Sequence, residues 1–274
     1  MRKLSPITMC GSLSLAPVDF GRRMHQAAYD ALGLPWVYVP LSCDSASLHA
    51  ALDGMRALEI RGFGISMPFK MEILPLLDSL SPLAKAIGAV NTVVNDDRVL
   101  TGHNTDAEGA ARALEETVGD LRGARALVMG AGGAARAVAF GLHARGVLLT
   151  LTNRTFEKAE AIASELPGAV AVRTAELPQA SFELVVQASS GGMDGQDALS
   201  FDPAAFRAGT VAMDIVYKPL ATPFLEAATA RGARTIDGAR MLLFQAARQF
   251  ELYTGREAPL DVMDRVIREA TVAR

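Results

Sequence analysis

A glycine-rich segment in the middle of the chain restricts the folds that this sequence can adopt. Gly130, Gly132 and Gly133 directly follow the apolar run Arg125–Met129 and directly precede an alanine-rich stretch. Glycines at such a point let the backbone turn from a strand into a helix and let an anion approach the helix N-terminus. Because a second apolar run begins at Val147, the order predicts the start of a dinucleotide-binding α/β domain. An ordinary tight turn between a strand and a helix is the alternative.

The residues after the second apolar run indicate which dinucleotide would bind. Many dinucleotide-binding chains carry a carboxylate there, which accepts a hydrogen bond from the ribose 2′-hydroxyl and repels a 2′-phosphate. This chain has Asn153, Arg154 and Thr155 instead, with Lys158 close behind. A guanidinium fork and a hydroxyl suit a phosphate. These residues therefore predict NADP rather than NAD, and the alternative is that they are ordinary solvated surface residues.

Strand and helix patterns alternate on both sides of the glycine segment. Before it, short β-type runs alternate with amphipathic helical stretches, and a polar turn at residues 95–98 separates two β-type runs. This turn predicts a hairpin, which we expect to form an antiparallel edge of a sheet. After the glycine segment, further apolar runs lead to a helical C-terminus. The pattern predicts two α/β domains, with the final helices crossing back to the first domain.

Composition narrows the class of protein. The 274 residues are 50% hydrophobic and 21% charged, with a net charge of −3, so we expect neither a disordered chain nor a chain that binds mainly nucleic acid. No apolar run reaches the roughly 18 residues of a membrane span, and the N-terminus lacks a signal-peptide core. Cys10 and Cys43 are too few for a disulfide framework. We therefore expect a cytoplasmic protein that acts on a small molecule.

Three polar segments fall where strands of the first domain are predicted to end, at residues 66–70, 88–92 and 102–106. Ligands of open α/β sheets bind beyond the carboxyl ends of the strands, so we expect a site there. Lys70 and Asp106 would form an acid–base pair, in which Lys70 transfers the proton and Asp106 balances its charge. Taken singly, Lys70 would be a surface lysine and Asp106 a helix N-cap. These residue types alone leave the substrate undefined.

Seven short motifs follow one another along the chain: SMPFK at 66–70, GAVNT at 88–92, NTD at 104–106, GAGGA at 130–134, NRT at 153–155, DIVY at 214–217 and DG at 237–238. In this order they resemble the shikimate dehydrogenase family. The resemblance implies an NADP-dependent oxidoreductase that interconverts shikimate, or a shikimate-like hydroxy acid, and its 3-dehydro form. It also implies a substrate-binding and catalytic domain of residues 1–103 and 239–274, around a Rossmann-type NADP-binding domain of residues 104–238.

The resemblance also implies a role for individual residues, with no metal among the ligands. The catalytic positions are Lys70 and Asp106. The substrate-binding positions are Ser12, Ser14, Ser66, Asn91, Tyr217 and Gln245. The cofactor-binding positions are Gly130, Ala131, Gly132, Gly133, Ala134, Asn153, Arg154, Thr155, Lys158, Ile215 and Gly238.

The N-terminal segment departs from the common family pattern, in which Ser-x-Ser-Pro is followed by a histidine three positions later. Here Ser-Leu-Ser at residues 12–14 is separated from His25 by a longer segment that contains Phe-Gly at residues 20–21. This combination resembles the shikimate dehydrogenase-like subgroup, and on that alignment both serines are retained. If Pro17 is aligned instead, one serine is lost, which would cost about 1.5–3 kcal/mol of carboxylate binding. On the subgroup alignment, the longer loop would let one of the cations at residues 22–23 hold a carboxylate instead, and the alternative is that both lie on the solvated face of a helix.

Two rival functions stay open from the sequence. One is a related dehydrogenase that acts on quinate or an amino-shikimate, because the altered N-terminal loop changes how a carboxylate would be held. The other is a nucleotide-binding protein that senses a metabolite with little turnover. We expect either a monomer or a homodimer, with a small-molecule substrate and with neither nucleic acid nor membrane as a partner.

Overall fold

The computed structural model describes residues 7–177, 182–189 and 206–272. The chain divides into two compact units, of which the first takes its residues from Met1–Thr105 and Gln245–Arg274 and the second from Asp106–Phe244. Within the described residues, each unit is built on a six-stranded sheet with helices. The predicted α/β fold class is confirmed.

The sheet of the first unit is mixed. Its strands are β1 (Thr8–Ser14), β2 (Trp36–Ser42), β3 (Gly62–Ile65), β4 (Ser79–Leu80), β5 (Thr92–Asp96) and β6 (Val99–His103). Their order across the sheet is β2-β1-β3-β5-β6-β4. β5 is antiparallel to both of its neighbours, and the other described pairs are parallel.

The hairpin of β5 and β6 is confirmed, but the expectation that it forms an antiparallel edge was wrong. Asp97 and Arg98 both have positive φ, as a type I′ hairpin turn requires. Beyond β6, however, Ser79 of β4 lies opposite Thr101 in a parallel pair. β4 therefore forms the edge and the antiparallel strand lies inside the sheet. A strand of two residues shows no alternation of polar and apolar side chains, so the sequence pattern did not reveal it.

Four helices follow the early strands, and their ends match local sequence signals. They are α1 (Phe20–Ala31), α2 (Leu48–Ala57), α3 (Phe69–Glu72) and α4 (Pro82–Ile87). At α4, the Ser81 hydroxyl accepts a hydrogen bond from Ala84 N at 3.3 Å, Pro82 occupies the first turn, and Gly88 ends the helix in a left-handed conformation. These are the residue types that favour each position. The left-handed glycine turns the chain directly into one of the polar segments of the site.

The sheet of the second unit is parallel throughout the described residues. Its strands are β7 (Arg125–Met129), β8 (Leu148–Thr152), β9 (Val170–Ala171), β10 (Leu184–Gln187), β11 (Val211–Asp214) and β12 (Arg234–Ile236). The order is β12-β11-β10-β7-β8-β9. Counted from β7 as the first strand, this is the 3-2-1-4-5-6 order of doubly wound dinucleotide-binding sheets. The order reverses between β7 and β10, and ligands of such sheets bind at that point.

Six further helices complete the described fold. They are α5 (Thr105–Val118), α6 (Gly133–His143), α7 (Phe156–Ser164), α8 (Pro223–Ala230), α9 (Gly238–Thr254) and α10 (Leu260–Val272). In the second unit, a Cβ on Gly141 would lie 2.4 Å from the carbonyl oxygen of Ala107, so glycine lets α6 pack closely on α5. In the first unit, a Cβ on Gly62 would lie 2.1 Å from the Tyr253 ring. That glycine allows the end of α9 to lie directly on β3.

Two general features of the chain bear on its class. Within the part of the chain that the structure describes, no helix combines the length and apolar character needed to cross a membrane. Cys10 and Cys43 are both buried and neither takes part in a disulfide. Burial raises the pKa of the Cys10 thiol to about 12, so this side chain is an inert core residue rather than a nucleophile.

Candidate functional site

Main-chain hydrogen bonds bring the three polar segments of the first unit side by side. The carbonyl oxygen of Lys70 accepts a hydrogen bond from Val90 N at 2.8 Å, and Asn91 N donates to the carbonyl oxygen of His103 at 3.1 Å. Asn91 in turn accepts from Ile65 N at 2.7 Å, at the end of β3. These segments therefore lie side by side in the first unit, as far as Thr105. Lys70 is half-buried in α3, and the nearby Ser66 is exposed.

Asn91 is the centre of a buried hydrogen-bond network. Its Oδ1 accepts from Thr105 N at 2.7 Å and from Thr92 Oγ1 at 2.9 Å. Its Nδ2 donates to Thr105 Oγ1 at 2.9 Å. The Asn91 side chain is only 2% exposed, so these bonds compensate the loss of hydration of the amide. Asn91 is thus a fixed polar group at the start of β5 rather than a simple turn residue.

Two glutamines of α9, one helical turn apart, extend this network. Oε1 of Gln245 lies 3.4 Å from Thr105 Oγ1. Nε2 of Gln249 donates to Thr92 Oγ1 at 3.0 Å and to the carbonyl oxygen of Asn91 at 3.3 Å. Gln245 was predicted as a site residue. Gln249 was not, and Thr92 and Thr105 stood within the motifs without a role of their own. The spacing of four residues between the glutamines, which places both on one helix face, was the available signal.

The network continues to the N-terminal part of the first unit through a buried histidine. His25 stacks on Tyr38 with ring centroids 4.5 Å apart, and its Nε2 lies 3.3 Å from Gln249 Oε1. Burial lowers the pKa of His25 to about 4, so the ring is neutral near pH 7. Burial raises the pKa of the Tyr38 hydroxyl, and the side chain of Ser12 in β1 lowers it. Ser12 therefore lies near the ring on which His25 stacks.

The remaining N-terminal candidates occupy different environments. Ser14 is buried at the carboxyl end of β1, where its carbonyl oxygen accepts from Cys43 N at 3.0 Å. Nη2 of Arg22 donates to Asp19 Oδ2 at 3.0 Å on the exposed side of α1, and this guanidinium lowers the pKa of the Asp19 carboxyl. Since the Asp19 carboxylate already binds the Arg22 guanidinium, Arg22 is a poor ligand for a substrate carboxylate. Arg23 is exposed in the same helix.

Asp106 lies in the first turn of α5, which begins at Thr105. It is therefore inside the helix rather than at its N-cap, and it is half-buried. Lys70 belongs to the first unit and Asp106 is the first residue of the second.

The glycine loop of the second unit contains one tight approach and one open cradle. Gly130 has φ +120°, and a Cβ there would lie 2.8 Å from the carbonyl oxygen of Ala188, so only glycine fits beside β10. A Cβ on Gly132 or Gly133 would meet no heavy atom of the described residues within 4 Å. These two glycines open the space at the N-terminus of α6, beside the point where the strand order reverses. The residues present thus fit a pyrophosphate, which would approach the main-chain amides there.

The polar residues beyond β8 border a separate cavity of about 310 Å³. It is lined by Asn153, Arg154, Phe156, Arg173 and Thr174. The guanidinium carbon of Arg173 lies 4.3 Å from the Phe156 ring centroid, which is cation–π geometry. No motif identified Arg173 beforehand, because this residue reaches the cavity only through the fold.

The other residues predicted beside this cavity are placed by the start of α7. Nδ2 of Asn153 donates to the carbonyl oxygen of Thr155 at 2.8 Å, which orders the loop before the helix. Thr155 is the N-cap of α7, and within the described residues its side chain makes no capping hydrogen bond. Lys158 is exposed and is not among the residues that line the cavity.

The predicted nicotinamide-lining positions also come together in the second unit. A Cβ on Gly238 would lie 2.4 Å from the carbonyl oxygen of Val216 and 2.6 Å from that of Ile215. The buried Asp214 carboxylate accepts from Val216 N at 3.0 Å and from Thr222 Oγ1 at 2.7 Å, which fixes the turn after β11. Desolvation raises the pKa of Asp214, and these two hydrogen bonds oppose that shift.

Tyr217, at the end of this turn, is 43% exposed. Gly238 therefore lets the start of α9 lie against the turn that bears Ile215 and Tyr217. The sequence pattern had grouped these positions only through the family motifs.

A parallel sheet in this strand order, with an open glycine cradle at the reversal of strand order and cations beyond the second strand, defines a dinucleotide-binding protein. The lysine and the fixed amides at the strand ends of the other unit suit proton transfer to a polar substrate. The class is that of a dinucleotide-dependent oxidoreductase, as the sequence predicted. Comparison with known proteins makes the assignment specific. The chain belongs to the shikimate dehydrogenase family.

Three family models match along the chain. The substrate-binding domain of shikimate dehydrogenase matches residues 14–93, the shikimate/quinate 5-dehydrogenase model matches residues 112–191, and the C-terminal domain of shikimate 5′-dehydrogenase matches residues 238–268. The resemblance drawn from the short motifs is thereby confirmed.

Individual relatives are similar to this chain over nearly its whole length. The NADP(+) shikimate dehydrogenase of Moorella thermoacetica is 46% identical over 268 residues, which cover 94% of this chain and 89% of that protein. The Thermus thermophilus shikimate 5-dehydrogenase, solved with NADP(H) and shikimate, has a TM-score of 0.86 and 35% identity, covering 96% of this chain and 99% of the other. The Corynebacterium glutamicum quinate dehydrogenase, solved with NAD, has a TM-score of 0.87 and 32% identity, covering 96% and 100%.

Proposed function

We propose that this protein is an NADP-dependent oxidoreductase that interconverts shikimate and 3-dehydroshikimate. The observation that carries the proposal is the fixed polar group around Asn91, which adjoins the segment of Lys70 and includes Gln245. Amides held by Thr105 in this way present hydrogen-bonding groups to a polyhydroxylated ring without having to reorganise. The 46% identity to a named NADP(+) shikimate dehydrogenase supports the same substrate and cofactor.

In this proposal, one part of the chain binds the substrate and the other binds the cofactor. Residues 1–103 and 239–274 bind the substrate and carry the catalytic lysine, and residues 104–238 bind NADP. Ser12, Ser14 and Ser66 hold the substrate carboxylate. Asn91, Gln245 and Tyr217 contact the carboxylate or the ring hydroxyls.

The cofactor side of the proposal rests on the second unit. The glycine loop of residues 130–134 binds the pyrophosphate at the N-terminus of α6. Residues 153–155, together with Lys158, bind the adenosine 2′-phosphate, and Ile215 and Gly238 line the nicotinamide. When bound, NADP(H) accepts or supplies the hydride.

The chain's own acid–base chemistry falls to Lys70 and Asp106. In the reducing direction, the ammonium of Lys70 donates a proton to the carbonyl oxygen as that oxygen becomes a hydroxyl. In the oxidising direction, the neutral amine takes the hydroxyl proton while the C–H bond yields its hydride. Asp106 balances the charge of the lysine in each direction. General acid–base catalysis of this kind contributes about 10²–10⁴-fold to the rate.

An assay of the purified protein with shikimate and either NADP or NAD tests the function. We expect reduction of NADP, and we expect Lys70→Ala to lower kcat by about 10²–10⁴-fold. Lys85→Ala is the matched control, because Lys85 is an exposed lysine of α4 in the same unit. Equal rates for the wild type and Lys70→Ala would contradict the role of the lysine. Activity with NAD but not with NADP would contradict the cofactor assignment.

Quinate is the second candidate substrate. The longer segment between Ser14 and His25 distinguishes this chain from the common Ser-x-Ser-Pro pattern, and a similar structure is that of a quinate dehydrogenase. A panel of shikimate, quinate and an amino-shikimate ranks the substrates by kcat/KM. A metabolite sensor, in contrast, would bind shikimate tightly with negligible turnover of any member of the panel.

We further propose that the protein works in the cytoplasm as a monomer or a homodimer, without nucleic acid as a partner. The two unpaired, buried cysteines and the net charge of −3 support this setting. Light scattering coupled to size-exclusion chromatography distinguishes the monomer from the dimer.

A further inference from the structure

The cavity beyond β8 is lined in part by a cationic side chain, Arg173, that lies outside the family motifs. Arg173 lies beyond the short strand β9, and its guanidinium carbon is 4.3 Å from the centroid of the Phe156 ring. Phe156 is the first residue of α7 and directly follows Thr155 of the NRT motif. The stacked guanidinium therefore lies on the same helix terminus that bears the predicted phosphate-binding residues.

The segment that carries Arg173 is fixed to the end of β8. The hydroxyl of Thr174 lies 3.1 Å from that of Thr152, the last residue of β8. Glu176 N donates to the carbonyl oxygen of Arg173 at 2.8 Å, within the 3₁₀ turn that follows. With the backbone held on one side and the guanidinium stacked on the other, Arg173 loses little further freedom on binding a ligand.

The charge of this cavity matches a phosphate monoester. Among the described residues that line it, Arg154 and Arg173 carry guanidinium groups and none carries a carboxylate. A phosphate monoester carries about −1.5 to −2 charges at pH 7, so one guanidinium would leave part of that charge unbalanced. Two guanidinium groups balance it, and Asn153 adds a side-chain amide to the lining.

We propose that Arg173 is a specificity-determining residue that binds the adenosine 2′-phosphate of NADP(H) together with Arg154. This inference rests on the proposed function, because it assigns a ligand group to the cofactor site of the same enzyme. Phe156 is the positioning residue that holds the Arg173 guanidinium over the cavity.

Isothermal titration of the full chain with 2′,5′-ADP and with 5′-AMP tests the proposal, because the two probes differ in the 2′-phosphate alone. We expect Arg173→Ala to raise the Kd for 2′,5′-ADP about tenfold and to change the Kd for 5′-AMP less than twofold. We expect Phe156→Leu to raise the Kd for 2′,5′-ADP by a smaller factor, since the cation remains but its support is lost. Arg231→Ala is the matched control, because Arg231 is an exposed arginine of the same unit, after α8.

Three outcomes would overturn the proposal. One is an unchanged Kd of Arg173→Ala for 2′,5′-ADP, and the second is an equal loss for both probes, which would place Arg173 at the adenine or in the fold. The third is the same loss in Arg231→Ala, which would reveal a general effect of net charge. Thermal melting of each variant identifies any loss of folding. If Arg173→Ala does not fold, Arg173→Lys replaces it, because lysine retains the charge without the planar stack.

The proposed function has a separate readout. Turnover of shikimate by the wild type, together with an unaltered Kd of Arg173→Ala for 2′,5′-ADP, would overturn this inference alone. Binding of 2′,5′-ADP that depends on Arg173, without turnover of shikimate, would support this inference and contradict the proposed substrate.

Discussion

The Nε2 atom of His25 lies 3.3 Å from Oε1 of Gln249, and both side chains are buried. Nε2 of Gln249 donates to Thr92 Oγ1 and to the carbonyl oxygen of Asn91, so its Oε1 must act as the acceptor. His25 is therefore the donor through its Nε2–H, in the neutral form. This single hydrogen bond joins helix α1 to the polar group around Asn91.

We expect His25 to make the stability of the protein depend on pH. Burial lowers the pKa of His25 in the folded protein to about 4, whereas its ordinary value is 6.5. Between these values the unfolded chain binds the proton and the folded chain does not, so the free energy of unfolding falls as the pH is lowered from about 6.5 to about 4. The neighbouring rings of Tyr29, Tyr38 and Tyr253 provide no charge to stabilise a protonated imidazole. The loss amounts to about 3 kcal/mol at most.

Urea unfolding at a series of pH values measures this effect. His25→Gln keeps an amide donor toward Gln249 and cannot titrate, so its stability should fall less steeply than that of the wild type between pH 6.5 and pH 5. Carboxylates contribute to both proteins alike, and the difference between the two curves isolates the histidine. Parallel curves would show that His25 does not titrate as its burial implies.

Two glycines of the loop should affect different properties, Gly130 the stability of the fold and Gly132 the binding of the cofactor. Gly130→Ala places a Cβ in a backbone with φ +120° and 2.8 Å from Ala188 O, so we expect a loss of about 2–4 kcal/mol of stability. At Gly132 the backbone angles are ordinary, and a Cβ there would meet no heavy atom of the described residues within 4 Å. We expect the melting temperature of Gly132→Ala to stay near that of the wild type. The methyl group would nevertheless narrow the pyrophosphate cradle and raise the KM for NADP at least tenfold.

Thermal melting and NADP titration of the two variants, measured side by side, provide the check. If Gly132→Ala bound NADP as well as the wild type, the pyrophosphate would lie elsewhere. If Gly130→Ala melted at the wild-type temperature, the close approach to β10 would not constrain that residue.

Asn91 should contribute strongly to stability apart from any contact with a ligand. Asn91→Ala leaves the buried Thr105 N without its side-chain acceptor and removes the amide that donates to Thr105 Oγ1. An unsatisfied buried donor has a full desolvation cost, so we expect the free energy of unfolding to fall by about 2–3 kcal/mol. Ser164→Ala is a useful comparison, because the exposed Ser164 hydroxyl donates to Ala161 O within its own helix. This substitution should change stability by less than about 0.5 kcal/mol. If urea unfolding gave the same loss of stability for both variants, Asn91 would not be the central residue of the network.

Local signals in the sequence predicted the glycine loop, the β5–β6 hairpin and the alternation of strands and helices. Each depends on residues that are close together along the chain, such as Gly130 and Gly132 around the start of a helix. The short strands β4, β9 and β12 escaped prediction because two or three residues carry no period.

The polar network could be predicted only in part. Asn91 and Gln245 were predicted through the family resemblance, but the bond between His25 and Gln249 joins residues 224 positions apart. No pattern within one sequence pairs such residues. Arg173 was missed for the same reason, since it approaches Phe156 only after β9 has been added to the sheet edge.

The two predicted phosphate-binding cations outside the glycine loop should differ in their effects. Arg154 lines the cavity beyond β8, whereas Lys158 does not. A charge-assisted hydrogen bond to the 2′-phosphate contributes about 1.5–3 kcal/mol, so we expect Arg154→Ala to lower kcat/KM for NADP by roughly ten- to hundredfold. Since NAD lacks this phosphate, its kcat/KM should change little. Lys158→Ala removes a flexible point charge of the same sign and should lower kcat/KM for NADP less than threefold. Steady-state kinetics of both variants with both cofactors measures these ratios, and equal losses in the two variants would mean that general attraction, not a specific contact by Arg154, selects NADP.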